Sequence, residues 1–130
     1  MSRGAIAVDP TMHRYTVYAA YGWLLLTGIL HFAVDVVAQY LRGQRAPGVE
    51  TTLYYGLNTA FSLGQVAFGA LGLLVAWRGI GPAGETPALL LALATGLGWL
   101  AVACLFMTYW EPKANVAIFC AVVVVALVTR

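Results

Sequence analysis

Residues 15–40 read YTVYAAYGWLLLTGILHFAVDVVAQY, an apolar run in which Asp35 is the only acidic or basic residue apart from a histidine, His31. About 20 consecutive apolar residues suffice for a helix to cross a bilayer core, so this stretch is long enough to span one. Three further runs, 52–77, 87–107 and 112–129, have the same character. Together they occupy most of the 130 residues and leave no room for a soluble domain. The composition agrees: 62% of residues are hydrophobic and 9% charged, with a mean hydropathy of +0.83, well beyond what a soluble domain of this size needs for one core. The expected fold is all-α, an integral membrane four-helix up-down bundle forming a single transmembrane domain over residues 1–130.

The charges fall where such spans would leave them. Arg3, Asp9 and Arg14 precede the core of the first run, and Arg42, Arg45 and Glu50 fill the first loop. Arg78 and Glu85 flank the second loop, Glu111 and Lys113 the third, and Arg130 is the last residue. Tyr15, Tyr18, Tyr40, Tyr54, Tyr55, Trp77, Tyr109 and Trp110 sit near the span ends, as an interfacial aromatic belt requires. Asp9-Pro10 and Thr86-Pro87 each place a capping side chain before a proline suited to a first helical turn. Pro47-Gly48 and the cluster Gly79, Gly81, Pro82, Gly84 mark two chain reversals. The third connection, around 109–112, is very short. A single helix over 87–129 would be about 64 Å long, twice a bilayer core, so a tight antiparallel hairpin is expected there.

Residues 1–13 do not resemble a cleavable signal or transit peptide, because the apolar core begins late and exceeds a signal h-region. With four spans, Arg3, Arg14, Arg78 and Arg130 share one side of the membrane, and Arg42, Arg45 and Lys113 the other. That near-balance does not set an orientation. The alanine- and glycine-rich composition, without eukaryotic targeting signals, points to a bacterial cytoplasmic membrane.

Several chemistries are excluded. Cys104 and Cys120 differ in expected depth by about 6 Å and are not placed to form a disulfide. No zinc-type cluster, haem-attachment motif or phosphate-binding glycine loop is present, so neither metal nor cofactor is expected. The formal charge of +2 is spread over loops, which argues against a nucleic-acid partner.

Polar residues inside the spans carry the functional signal. His31 and Asp35 are four residues apart and share a helix face, with Thr27 one turn before and Ala38 and Arg42 after. In the second run Asn58, Ser62, Gln65, Gly69 and Gly72 fall within about 80° of arc and form one seam. Lipid does not reward exposed amides, so the seam should face protein. Counted inward from the first loop, His31 and Ser62 both lie about 13 Å deep, which makes them candidate neighbours. One half of the bundle would then hold His31, Asp35, Gln39, Asn58, Ser62, Gln65 and Glu111, and the other half only aliphatic and small residues. Arg42 is close enough along the helix to snorkel towards Asp35.

An intramembrane carboxylate beside an imidazole points to a functional site, because the carboxylate can orient the ring and hold its proton. His31 and Asp35 are the candidate catalytic residues; Asn58, Ser62 and Gln65 are the candidate ligand-binding residues. The alternative is structural, with the pair hydrogen-bonding the first helix to the seam. Gly56, Ala60 and Gly64 form a small-residue ladder suited to helix packing, and a second such face allows a homodimer. His13, Glu111 and Lys113 read as interfacial anchors.

The run Tyr54-Tyr-Gly-Leu-Asn58-Thr-Ala-Phe-Ser62-Leu-Gly64, followed by Gly69 and Gly72, resembles the second helix of small bacterial four-helix membrane proteins, and the later Tyr109-Trp110-x-Pro112 is similar too. That resemblance implies the fold and transfers no activity. Three functions fit: binding of a hydrophobic small molecule or lipid, such as an isoprenoid or quinone, in a polar half-pocket; a membrane-embedded enzyme using His31 and Asp35 for proton transfer on a lipid, isoprenoid or polyketide-like substrate; and a proton-coupled small transporter.

Overall fold

The computed structural model describes residues 9–130, except for the side chains of residues 82 and 83. Arg3 and the rest of the segment 1–8 lie outside the described residues. Among the described residues the chain is all-helical, with four helices: α1 Pro10–Leu41, α2 Val49–Arg78, α3 Gly81–Phe106 and α4 Glu111–Val128. Each is long and apolar enough to cross a membrane.

α1 starts where its cap signal predicts. The Asp9 carboxylate accepts from the Thr11 amide at 2.9 Å, and Pro10 occupies the first turn. The helix therefore begins five residues before the apolar run, since capping sets where a helix starts and apolarity sets only how much of it suits lipid. After Pro10–His31, α1 continues as a π-helix over Phe32–Ala38 before closing with an α-turn, Gln39–Leu41. The wider turn changes the phase of the helix and interrupts the expected stripe: Asp35 still meets His31, but Arg42 is exposed.

The start of α3 corrects the sequence-based expectation. Thr86-Pro87 does not cap it; the helix begins at Gly81, with a proline in its first two positions and Pro87 inside it. Gly81 has φ 71° and is followed by Pro82, whose pre-set φ and missing N–H suit a helix start equally well. The second connection shrinks to Gly79 and Ile80, Gly79 having φ 72°. Glu85 is thereby carried into the helix. The third connection is as short as expected, and α4 begins at Glu111 with Pro112 in its first turn.

α1 packs closely on α2 and α4, and α3 on α4. The α1–α2 contact depends on glycine. A Cβ at Gly69 would lie 2.8 Å from the Leu25 amide nitrogen, and one at Gly28 2.9 Å from the Gln65 Cβ. The Tyr21 ring lies directly on Gly72, tilted between Phe68 and Phe119 at centroid distances of 6.3 and 6.4 Å. The whole Asn58, Ser62, Gln65, Gly69, Gly72 seam is buried, as its spacing predicts. α2 and α3 meet through large side chains: the Trp99 indole covers Gly64 and packs edge-on to Phe68 at 5.5 Å. The small-residue ladder is therefore divided, Gly64 lying under Trp99 while Gly56 has open space beside it and Ala60 is exposed. Between α3 and α4, Gly96 lies against Phe119 and Cys120. Both cysteines are free, Cys104 facing outward and Cys120 buried.

Candidate functional site

The end of α1, the start of α2 and the α3–α4 connection converge on His31. Its Nδ1 lies 2.9 Å from Asp35 Oδ2, and its Nε2 lies 2.9 Å from Asn58 Oδ1. The Asn58 amide orientation follows from its other partner: Nδ2 donates to the Tyr54 carbonyl at 2.8 Å, which leaves Oδ1 towards the imidazole. The Tyr109 hydroxyl donates to the same Oδ1 at 2.8 Å, so both lone pairs of that oxygen are used. Phe61 packs edge-on to the His31 ring at 5.4 Å, and Tyr109 stacks beside it at 6.4 Å. Position, tautomer and tilt of the imidazole are all determined by neighbours.

This bonding defines the proton inventory. Asn58 Oδ1 can only accept, so Nε2 carries a proton in every state. A further proton in the 2.9 Å gap to Asp35 would sit either on Nδ1, as an imidazolium–carboxylate pair, or on Oδ2, as two neutral groups. The dyad has no net charge in either form. That keeps its burial affordable, because an isolated charge in an apolar interior is far more costly than a paired or neutralised one.

The His31 side chain is 6% exposed with both nitrogens occupied, the Asp35 side chain is 20% exposed, and both line a cleft of about 440 Å³. Leu30 and Val34 form the apolar wall; Gln39, Arg45, Tyr109 and Glu111 supply its polar mouth. Gln39 Nε2 donates to Asp35 Oδ1 at 3.4 Å and to the Tyr54 hydroxyl at 3.1 Å. The Arg45 guanidinium lies 3.4 Å above the Tyr54 ring while its Nε donates to Gln39 Oε1. The cation over the cleft is thus Arg45, from the loop, rather than Arg42. Burial, then its neighbours Tyr54 and Asp35, push the Tyr109 phenol far above its ordinary range, so it stays protonated and keeps its O–H for Asn58.

Of the residues singled out in the sequence, His31, Asp35 and Asn58 come together. Ser62 and Gln65 lie deeper on the seam: the Ser62 hydroxyl donates to the Asn58 carbonyl at 2.8 Å, and the Gln65 stem fills the space beneath Gly28. Asn58 touches His31 but does not line the cleft. Thr27 donates to the Trp23 carbonyl of its own helix, while the Trp23 indole donates across to the Asn115 carbonyl of α4 at 2.9 Å. Glu111, read as an anchor, lines the cleft. Sequence reading missed Tyr54, Tyr109 and Arg45 as site residues. The two tyrosines were legible only as belt aromatics, although each stands at the membrane end where His31 and Asp35 were placed.

At the opposite end, His13 is less peripheral than its position suggests. Its Nε2 pairs with Glu85 Oε1 at 2.7 Å, joining the first turns of α1 to α3, with the imidazole 14% exposed. Among the described residues no group of three or more metal-ligating side chains occurs. Comparison of the chain with protein-family models, with curated proteins and with solved structures gave no match.

Proposed function

We propose that this chain is an up-down four-helix bundle of a bacterial cytoplasmic membrane whose cleft binds a lipid-like molecule with a polar head, such as an isoprenoid or a quinone. The observation that carries this is the composition of the cleft: the exposed, apolar Leu30 and Val34 line it together with the polar Asp35, Gln39, Arg45 and Glu111. A molecule with an acyl or isoprenoid tail would enter between Leu30 and Val34 and present its head to Asp35. Insertion in a bilayer is supported by the outward faces of the helices, where Leu26, Ile29, Leu63, Leu71, Leu91 and Leu105 are each about half exposed or more. With the dyad neutral, Arg45 and Glu111 give the cleft one charge of each sign, which favours an uncharged hydrogen-bonding head over a phosphate.

The test is mass spectrometry of organic extracts from protein purified in native nanodiscs. A species enriched with the wild type and at least tenfold depleted from Asp35→Asn is expected. Equal lipid complements in the two preparations would overturn the assignment.

The same geometry favours a second reading, proton transfer to the bound molecule, because the 2.9 Å contact lets a proton pass between Nδ1 and Oδ2. Asp35 would then be the group that meets substrate, and His31, locked by Asn58, the residue that positions it and holds the proton. Turnover that persisted in Asp35→Asn would exclude this chemistry.

A further inference from the structure

The polar groups that line the Asp35 cleft divide into those bonded to one another and those left over. His31, Asp35, Gln39, Tyr54 and Tyr109 are joined through the network already described. Arg45 spends only its Nε on Gln39, and among the described residues its terminal N–H groups make no hydrogen bond or ion pair. The exposed Glu111 carboxylate makes none either. Asn115 also lines the cleft, and its side-chain carboxamide has no hydrogen-bond partner among the described residues.

Asn115 follows Glu111 by four residues on α4, so the two share a helix face one turn apart, and both line the cleft. Trp23 fixes that part of α4 against α1, its indole donating to the Asn115 carbonyl at 2.9 Å. Asn115 is half-buried, yet among the described residues the buried side-chain nitrogen or oxygen that lacks a partner is His13 Nδ1, at the opposite end of the bundle. Both amide atoms of Asn115 therefore keep accessible surface, at a residue that lines the cleft. A carboxamide left unpaired on a helix suited to a membrane is costly, and a polar head in the cleft would relieve it.

The leftover groups define what such a head must offer. The carboxamide presents an acceptor oxygen and two donor hydrogens and does not titrate. Beside it the Glu111 carboxylate accepts and the Arg45 guanidinium donates. A head with acceptors alone, such as a quinone or a simple ester, answers Arg45 and the amide N–H but leaves Asn115 Oδ1 and Glu111 without a donor. A hydroxyl both donates and accepts, so a head with at least two hydroxyls can answer all of them.

We infer, resting on the reading of this cleft as a lipid site, that Asn115 and Glu111 are its specificity-determining residues and select an uncharged head bearing at least two hydroxyls, a glycerol, sugar or quinol, over a head with acceptors alone.

The test compares monooleoylglycerol with methyl oleate, which keeps the acyl ester and lacks both hydroxyls, by native mass spectrometry of the full chain in detergent micelles. The glyceride is expected to bind about tenfold tighter, as one or two added hydrogen bonds would give. Asn115→Leu should bring the ratio of affinities close to one, and Glu111→Ala should reduce it by a smaller factor. Equal affinity in the wild type overturns the inference and leaves the lipid reading standing, whereas binding of neither ligand overturns both. A preference that persists in Asn115→Leu and in Glu111→Ala, or is lost only in Asp35→Asn, assigns the head to Asp35 and overturns the inference alone. The wild-type ratio and Glu111→Ala decide the matter even if Asn115→Leu does not fold.

Discussion

His31 and His13 both stand on α1, each beside a carboxylate, yet their surroundings differ in a way that separates two kinds of site. His31 takes its carboxylate from its own helix and its second partner from α2, so both ring nitrogens are bonded. His13 takes its carboxylate from α3, and its other nitrogen is buried without a hydrogen-bond partner among the described residues. A ring saturated on both sides is held rigidly; at that end the proposed contact with a ligand falls to the partly exposed Asp35 carboxylate. The difference originates in sequence spacing: a partner four residues away on the same helix is positioned by local geometry, whereas a partner from another helix depends on how the helices pack.

The largest break in this comparison should come from Asn58→Leu. It removes the acceptor shared by His31 Nε2–H and the Tyr109 hydroxyl, leaving two donors unsatisfied in a region where Asn58 itself is 2% exposed. A loss of about 3 kcal/mol is expected, read as a lowered midpoint in thermal unfolding; a stability within experimental error of wild type would mean that the network does not hold the helices together.

Asp35→Asn should be milder, about 1 kcal/mol, because the amide can donate to Nδ1 and the ring keeps a neutral partner. Stability and ligand retention should therefore separate in this variant. Parallel loss of both would assign Asp35 a structural function alone.

Glu85→Gln, at the other end, should change stability least, by about 0.5 kcal/mol, since its partly exposed pair gains little in a wet environment. A cost as large as that of Asn58→Leu, measured in the same unfolding assay, would erase the distinction between the two ends.

Much of the site was legible from spacing and depth. His31 and Asp35 were marked by being polar in an apolar helix, and Asn58 by belonging to a seam whose period left it no lipid-facing alternative. Ser62 and Gln65 satisfied the same periodicity but lie deeper on the seam and do not reach the cleft, because a common face places residues at different depths along the helix. Tyr109 and Arg45 reach His31 and Tyr54 from connections, and loop paths carry no periodic signal from which a contact could be read. Glu85 was obscured for another reason. Thr86-Pro87 competes with Gly81-Pro82 as a start for α3, and either is locally acceptable.

Four helices suited to a membrane, their polar faces and the His31/Asp35 pair are determined by the sequence itself, since they rest on apolar length, helical period and i,i+4 geometry. Tertiary structure decided which polar groups share a proton and which face open space. It brought His31 and Tyr109 to one oxygen of Asn58, set the His31/Asp35 pair on the cleft, and left His13 Nδ1 without a hydrogen-bond partner among the described residues. Those outcomes depend on close approach between helices, set at Gly28, Gly69 and Gly72 by the absence of a side chain, and on where short connections return the chain.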